Sequence, residues 1–243
     1  MDGGWQAGEG RHHFIGNRWV EAAGGEPLDA VDPSTGEPFA RIARGSAADI
    51  GAAVAAARRA FGASGEGPWG TTSAVERGRL LLRLSQGVLQ NAEELARLES
   101  RSTGKPLKQG RADAQAAARY FEYYGGAADK LHGETLPYSA GMTVLTLREP
   151  HGVTGHIVPW NYPMQIFGRS VGAALAAGNA CVVKPAEDAC LSLLRVAELA
   201  AEVGFPDGAL NIVTGLGHEA GAALAAHGNI DHISFTGSPV TGT

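Results

Sequence analysis

Four short polar segments in the second half of the chain hold the residues whose types and spacing suit chemistry. They are, in chain order, "PWNYP" at 159–163, "KPAE" at 184–187, "TGLGHEAG" at 214–221 and "TGSPVTG" at 236–242. Each follows a short apolar run typical of a buried strand, and stretches with helical periodicity separate the runs. Because ligands of an open α/β sheet bind beyond the carboxyl ends of its strands, we expect the four segments to form one site.

The first segment places an asparagine amide in a rigid loop. Pro159 and Pro163 restrict the backbone on either side of Trp160, Asn161 and Tyr162. An amide held in one direction can donate to an oxygen that gains negative charge, and one such donor is worth about 10²–10³ in rate. Asn161 also stands just before a predicted helix, where it would cap free backbone N–H groups. The local sequence favours the cap and leaves the donor role open.

The second segment pairs opposite charges, Lys184 and Glu187, at the end of a predicted strand. In a dinucleotide site such a carboxylate accepts hydrogen bonds from ribose hydroxyls, and the ammonium group donates to the sugar. The carboxylate also opposes a 2′-phosphate, by roughly 4 kcal/mol at about 4 Å in an effective dielectric near 20. This favours NAD over NADP. The alternative is a surface ion pair worth under about 1 kcal/mol, and the segment alone favours that alternative.

The last two segments are rich in glycine. Gly215, Gly217 and Gly221 form a GxGxxxG pattern after a predicted strand, the context that a dinucleotide fingerprint requires. A lone glycine pattern is weak in a chain with 35 glycines. Residues 237–242 follow the fourth strand, and backbone N–H groups at such a helix start can face a pyrophosphate. Pro239 suits the first turn of that helix.

Other reactive side chains form no convincing site. The eight histidines show no metal-ligand spacing, so we predict no metal. Cys181 lies inside a predicted strand and is expected in the core. Cys190 lies at a helix start, where a thiol pKa can fall, but it has no histidine partner in the sequence. We expect neither cysteine to act as a nucleophile.

Composition narrows the class of protein. The chain has 243 residues, 19% of them charged, and a net charge of −5, which argues against a nucleic-acid surface. No stretch approaches the roughly 18 apolar residues of a membrane span. Two cysteines fit a reducing compartment, and "MDGGWQAGEGRHH" has no apolar core of a secretory signal. These observations predict a cytoplasmic globular protein that binds neither nucleic acid nor membrane.

The chain divides into three parts by pattern. Residues 1–131 predict short strands and then helices, with Ser46 and Ser73 in capping-box spacing to acidic residues. Residues 132–150 alternate between apolar and polar residues and predict a two-stranded β-ribbon. The pattern fits a surface hairpin and an oligomerisation arm equally well. Residues 151–243 alternate strand and helix. That alternation predicts a doubly wound α/β domain with a parallel sheet covered on both faces.

The segments together are more specific than any one of them. In this order and spacing, "VPWNYP", "GNACVVKPAE", "GFPDGALNIVTGLG" and "ISFTGS" resemble the NAD(P)-dependent aldehyde dehydrogenase superfamily, and the resemblance extends back to "FIGNRWV". It implies a Rossmann-like sheet with N-terminal helices and a protruding β-ribbon. It also implies oxidation of an aldehyde to a carboxylic acid with NAD(P) as hydride acceptor. The ribbon at 132–150 is then the arm through which homodimers or homotetramers form.

The resemblance assigns roles residue by residue. Asn161 matches the family's oxyanion-hole asparagine, which overrides the local preference for a cap. Lys184 and Glu187 match the residues that hold the adenosine ribose. The other implied cofactor contacts are Val158, Pro159 and Trp160 along the first loop, Gly217 near the adenine, Ser238 with Trp160 at the pyrophosphate, and Gly237 to Gly242 as the family's GxxxxG segment.

One departure from the family pattern limits the expected activity. The family's nucleophilic cysteine and the glutamate that activates water lie downstream of "FTGS", in "GQxC"-like and "ELGG"-like motifs that do not occur here. We therefore expect the N-terminal part of a longer enzyme, which supplies the cofactor site and Asn161 but is inactive alone. The alternative is a natural short protein, a non-catalytic nucleotide-binding or interaction module.

Overall fold

A computed structural model of the chain describes residues 12–242. The prediction about an N-terminal signal therefore lies mostly outside the described residues, as does Thr243. The strands are β1 (His12–Ile15), β2 (Arg18–Glu21), β3 (Leu28–Val31), β4 (Pro38–Ile42), β5 (Thr135–Leu136), β6 (Val144–Leu145), β7 (Val153–Val158), β8 (Ala180–Pro185), β9 (Leu210–Ile212) and β10 (His232–Phe235). The helices are α1 (Ala47–Phe61), α2 (Ala74–Gln90), α3 (Ala92–Thr103), α4 (Leu107–Ala127), α5 (Pro163–Ala176), α6 (Leu191–Glu202), α7 (Ala222–Ala225) and α8 (Pro239–Gly242).

Four parallel strands, β10, β7, β8 and β9, form one side of a six-stranded sheet with the order β10-β7-β8-β9-β1-β2. From β7 the chain winds outward through β8 to β9, and it then crosses back to place β10 on the other side of β7. The order of β7 to β10 confirms the predicted doubly wound α/β fold. The strand order reverses between β7 and β10, and the carboxyl ends of strands at such a point are where ligands bind.

An N-terminal hairpin extends this sheet on its far side. β1 pairs antiparallel with β2 and also with β9, where Phe14 lies opposite Ile212. The turn is fixed by Asn211, whose Oδ1 accepts from the Gly16 N–H at 2.9 Å. The sequence predicts these short strands but not their partner, because the hairpin and β9 are almost 200 residues apart in the chain. The sheet is therefore parallel at its centre and antiparallel at this edge.

Helices cover both faces of the central strands. β8 is buried along its whole length, and β7 is buried at every position except Ile157. α4 packs against α2, α3 and α5, with Phe121 of α4 and Phe167 of α5 edge to face at 6.2 Å. The predicted helix starts are confirmed: Asp49 accepts from the Ser46 backbone N–H at 2.8 Å, and Ser73 Oγ accepts from the Glu76 N–H at 3.2 Å. Among the helices of residues 12–242, none is long and apolar enough to cross a membrane.

The predicted β-ribbon is present but short. Two residues pair on each side, with Thr135 opposite Leu145 and Leu136 opposite Val144. Its apolar side chains face solvent, and Tyr138 and Leu147 are 74% and 78% exposed.

One predicted helix differs from the structure. The periodicity predicts a helix from Glu219 to Ala226, whereas the chain forms a π-helical turn over residues 217–221 and then the four-residue α7. The acidic side chain of the turn is held outside it, since Arg44 Nε donates to Glu219 Oε2 at 2.9 Å. A long-range ion pair and two glycines at the ends of the turn therefore replace the first helical turn.

Two histidines are buried in the neutral form. His156 of β7 is 2% exposed, and its Nε2 lies 2.9 Å from Thr154 Oγ1. Burial lowers the pKa of His156 from 6.5 to about 3 and that of His13 to about 4. Both depressed values mean that the unfolded chain takes up protons first as the pH falls below 6.5.

We expect replacement of His156 by leucine to reduce the acid sensitivity of folding. Between pH 7 and pH 5 each buried histidine should lower the free energy of unfolding by about 2 kcal/mol, because only the unfolded state binds the proton. The difference between urea midpoints at the two pH values, multiplied by the m-value, measures this loss. His156→Leu should lose about 2 kcal/mol less than the wild type, whereas the exposed control His151→Gln should match the wild type. An equal loss in all three proteins would contradict the assignment.

Candidate functional site

The polar segments after β7, β8 and β10 meet at the carboxyl edge of these parallel strands. The N–H of Ala186, after β8, donates to the Val158 carbonyl at the end of β7 at 2.8 Å. The N–H of Thr236, after β10, donates to the Ile157 carbonyl at 3.2 Å. Parallel pairing thus places the ends of β7, β8 and β10 side by side, as the sequence predicts.

Residues 159–162, the Asn161 loop, leave β7 and enter α5. Trp160 and Tyr162 are 60% and 43% exposed, and Asn161 is exposed between them. α5 begins at Pro163 with Tyr162 as its N-cap residue, and Asn161 Oδ1 accepts from the Tyr162 N–H at 3.1 Å. The helix cap favoured by the local sequence is therefore not formed. The amide oxygen is used inside the loop, which leaves Nδ2 as the side-chain group that can donate to a ligand.

A buried lysine that the sequence analysis missed supports this loop. Lys105 Nζ donates to the Asn161 carbonyl oxygen at 3.0 Å and lies 4.7 Å from the centre of the Tyr162 ring. The same ammonium group contacts Glu99 at 3.1 Å and Asp113 at 2.5 Å. The available signal was a lysine between the helix-ending Gly104 and Pro106, but nothing local connects it to a loop 56 residues away.

Lys184 and Glu187 form an ion pair that is mostly buried. Lys184 is 2% exposed, and its Nζ donates to Glu187 Oε2 at 2.9 Å. The alternative of a surface ion pair is therefore wrong for the lysine, although the carboxylate is one third exposed. Burial works to raise the pKa of Glu187, but hydrogen bonding from Lys184 and from the backbone of Gly217 lowers it overall. Glu187 is thus an ionised acceptor beside Gly217.

The three glycines of the third segment differ in how much space a side chain would have at each position. Gly215 has φ +142°, and a Cβ there would lie 2.7 Å from the Gly45 nitrogen, so the close approach of two backbones requires it. A Cβ at Gly217 would meet nothing within 4 Å. A Cβ at Gly221 would lie 3.8 Å from Lys184 Cδ, so the lysine stem passes beneath the π-helical turn. Lys184, Glu187 and Gly217 therefore belong to one corner of the site.

The fourth segment is exposed, and its residues have local partners. A Cβ at Gly237 would lie 2.4 Å from Phe235 Cζ, and one at Gly242 would lie 3.2 Å from the same ring. Ser238 Oγ accepts from the Thr241 N–H at 3.3 Å and therefore caps the short α8. These contacts explain the residue types without a ligand, so their assignment to a pyrophosphate stays a prediction.

Both cysteines are core residues. Cys181 is fully buried and Cys190 is 1% exposed, and burial raises the pKa of each thiol to about 12. A thiol in that state is a poor nucleophile at neutral pH. Within residues 12–242 no group of three His, Cys, Asp or Glu side chains could hold a metal ion.

Comparison with known proteins identifies the family. The model of the aldehyde dehydrogenase family matches residues 19–243. The chain belongs to this family. The resemblance drawn from the four motifs is thus confirmed.

Individual aldehyde dehydrogenases match over nearly the whole of this chain. Hydroxyisobutyraldehyde dehydrogenase of Mycolicibacterium austroafricanum is 48% identical over 94% of the chain and 44% of its own length. The crystal structure of a Burkholderia cenocepacia protein assigned as an aldehyde dehydrogenase is 75% identical, with a TM-score of 0.93 over 95% of this chain and 48% of that one. The NAD⁺ complex of a Bacillus cereus aldehyde dehydrogenase is 42% identical, with a TM-score of 0.93 over 96% and 47%. The chain therefore spans under half the length of these relatives.

We expect neither cysteine to react with a thiol reagent such as Ellman's reagent in the folded protein at pH 8. Both thiols are buried and protonated at that pH, so their reaction should await unfolding. Absorbance of the released thiolate measures the rate, and the denatured chain should give two equivalents as the internal control. One equivalent released rapidly from the folded chain would overturn the assignment of that cysteine to the core.

Proposed function

We propose that this chain provides the NAD-binding part and the oxyanion-hole asparagine of an enzyme that oxidises an aldehyde to a carboxylic acid. The observation that carries the proposal is the Lys184–Glu187 pair beside Gly217. A buried ammonium group there holds an ionised, partly exposed carboxylate at a strand end of a doubly wound sheet. Family membership supplies the reaction class.

The residues at this corner fit the adenosine half of a dinucleotide. Glu187 is ionised and one third exposed, so its carboxylate can accept hydrogen bonds from ribose hydroxyls. A Cβ at Gly217 would meet nothing within 4 Å, so the surface there is open to a ligand. The same carboxylate disfavours a 2′-phosphate, which supports NAD and leaves NADP as the weaker ligand. When bound, NAD supplies the hydride acceptor of the reaction.

The remaining cofactor contacts lie along the edge from β7 to β10. We assign Trp160, with 60% of its surface exposed, and Ser238 to the pyrophosphate. The assignment is supported by the Thr236–Ile157 hydrogen bond, which brings the segment after β10 next to the end of β7. The other residues assigned to the cofactor are Val158 and Pro159 in the first segment and Gly237 and Gly242 in the last.

Asn161 is proposed to donate Nδ2–H to the oxygen of the aldehyde as negative charge develops on it. Its own amide oxygen is held by the Tyr162 N–H, which orients the group before substrate arrives. A donor fixed in advance stabilises the transition state without reorganisation at the moment of reaction.

The arm at residues 132–150 is proposed to join copies of the protein into a homodimer or homotetramer. Its support is a set of exposed apolar side chains on a ribbon too short to be stable alone, with Met142 and Leu145 both about 60% exposed. Residues 12–131 and 151–242 then form one cofactor-binding unit, since β1 pairs with β9 of the same sheet. Two unpaired, buried cysteines support a cytoplasmic location.

A non-catalytic nucleotide-binding module is the second candidate. The burial of Cys181 and Cys190 favours it, because neither thiol of this chain is placed to attack an aldehyde. Both candidates share the cofactor site, so the first experiment addresses binding and the second addresses turnover.

Calorimetric titration of the 243-residue chain tests the cofactor site, and we expect NAD⁺ to bind more tightly than NADP⁺. Replacing Glu187 by serine removes the charge that opposes a 2′-phosphate, so the ratio of the two dissociation constants should shift toward NADP⁺ by about tenfold. The neighbouring Asp188→Ser is the matched control, since Asp188 is exposed on the same turn. A ratio that Glu187→Ser leaves unchanged, or failure of the wild type to bind either nucleotide, would count against the proposal.

Replacing Asn161 by alanine in the complete enzyme should lower kcat by about 10²–10³, with little change in the affinity for NAD⁺. The reason is that the lost donor acts on the reacting oxygen and not on the cofactor. Steady-state kinetics with an aliphatic aldehyde and NADH absorbance provide the measurement. Asn229→Ala, at another exposed asparagine, is the control. Turnover that survives Asn161→Ala would remove the oxyanion role of Asn161.

A further inference from the structure

Three charged side chains are buried together beneath the Asn161 loop and form the Lys105 cluster. Lys105 is 10% exposed, while the carboxyl groups of Glu99 and Asp113 are fully buried. Lys105 comes from the turn after α3, Glu99 from α3 and Asp113 from α4. Buried ion groups of this kind stabilise a fold little in net terms, because their desolvation offsets their attraction. Net stability therefore does not explain why these three side chains are buried together.

The ammonium group of Lys105 donates three hydrogen bonds, one of them to the Asn161 loop. The acceptors are Glu99 Oε1 at 3.1 Å, Asp113 Oδ2 at 2.5 Å and the Asn161 carbonyl at 3.0 Å. The two carboxylates orient the ammonium group, and its hydrogen bond to the Asn161 carbonyl fixes the backbone of Asn161. The face of the Tyr162 ring at 4.7 Å adds a cation–π contact to the next residue.

Asp113 holds the other end of the same loop. Its Oδ1 accepts from Gln165 Nε2 at 2.6 Å, in the first turn of α5, and from Gln109 Nε2 at 2.8 Å. The loop is therefore tied to the cluster on both sides of Tyr162, through Asn161 before it and Gln165 after it. A loop fixed at both ends has few alternative conformations.

Glu99 connects the cluster to the segment after β8. Its Oε2 accepts from Ser192 Oγ at 2.9 Å, at the start of α6 and five residues beyond Glu187. The cluster thus contacts the loop with the oxyanion donor and the start of the helix that follows the ribose acceptor.

The backbone of Lys105 is itself rigid. Gly104 ends α3 with φ +72°, and a Cβ there would lie 2.9 Å from Pro33 Cγ. Pro106 follows, and Ser100 Oγ donates to the Lys105 carbonyl at 2.6 Å. The lysine side chain therefore starts from a fixed point of the backbone.

We infer that Lys105 is a positioning residue, held by Glu99 and Asp113, that sets the direction of the Asn161 side chain through the backbone of the Asn161 loop. Lys105 touches neither the proposed substrate nor the proposed cofactor, and it acts through Asn161. The ordering of the loop depends only on these contacts. The consequence for turnover rests on the proposed oxyanion role of Asn161.

Hydrogen–deuterium exchange of the 243-residue chain tests the ordering directly. In Lys105→Met the backbone amide of Tyr162, which donates to Asn161 Oδ1, should exchange at least about tenfold faster, since the hydrogen bond from a charged group to the Asn161 carbonyl is lost. Exchange in the second half of α5 should not change. The control is Lys108→Met, which removes an exposed lysine from the adjacent helix.

A second variant keeps the test decisive if the first fails to fold. Burial already raises the pKa of Glu99, so its ionised form is costly once the Lys105 ammonium group is removed. The double variant Glu99→Gln, Lys105→Met removes both groups together. This double variant should fold and show the same fast exchange at the Tyr162 amide. Unchanged exchange there, or an equal increase throughout α4 and α5, would refute the positioning role.

Kinetics of the complete enzyme separate this inference from the proposed function. Lys105→Met should lower kcat while the KM for NAD⁺ stays within about twofold, and it should add almost nothing to Asn161→Ala, because both act on one interaction. Effects that multiply would overturn a role through Asn161. If Asn161→Ala alone does not slow turnover, the proposed function fails, and the exchange experiment still decides whether Lys105 orders the loop.

Discussion

Parallel pairing of β7 with β8 on one side and β10 on the other is the constraint on which the rest of the structure depends. Both β7 and β8 are buried on two faces, so their backbone polar groups have no access to water and must pair with neighbouring strands. That pairing fixes the register, with Val158 opposite Pro185 and Phe235 opposite Ile157. Most of the proposed ligand contacts lie within a few residues of these strand ends, so the register decides which of their side chains meet.

Two ammonium groups lie under the edge so formed, and they serve different loops. Lys184 stands on β8 and holds Glu187, whereas Lys105 stands after α3 and holds Asn161. Each is desolvated, and each is matched by carboxylates at hydrogen-bond distance, which is the condition under which a buried charge is tolerated. Such groups confer little net stability. They do define one arrangement of the loops, because any other arrangement would leave a buried charge without its partner.

The sequence predicts much of this fold because the signals for it are local. Alternation of strands and helices over residues 151–243, and the capping residues Ser46 and Ser73, depend on neighbours a few positions apart, and all are confirmed. The pairing of β1 with β9 and the contact of Lys105 with Asn161 join residues far apart in the chain. No local sequence pattern predicts these two contacts. The π-helical turn at 217–221 escaped prediction for the same reason, since its ion pair reaches back to Arg44.

Glycine and asparagine in the site show why residue type alone misleads. Gly215 belongs to a glycine pattern that suggests phosphate binding, yet the backbone of Gly45 beside it requires a glycine there. The sequence suggests Asn161 as a helix cap, yet Tyr162 is the N-cap residue of α5, and the Asn161 oxygen accepts from the Tyr162 N–H. What distinguishes the Asn161 loop is that prolines, Lys105 and Gln165 restrain it while its side chains stay exposed. A preorganised donor needs a loop whose backbone is restrained by the protein while its side chain stays open to the ligand. The conformational entropy of the loop is then lost on folding and not when the substrate binds.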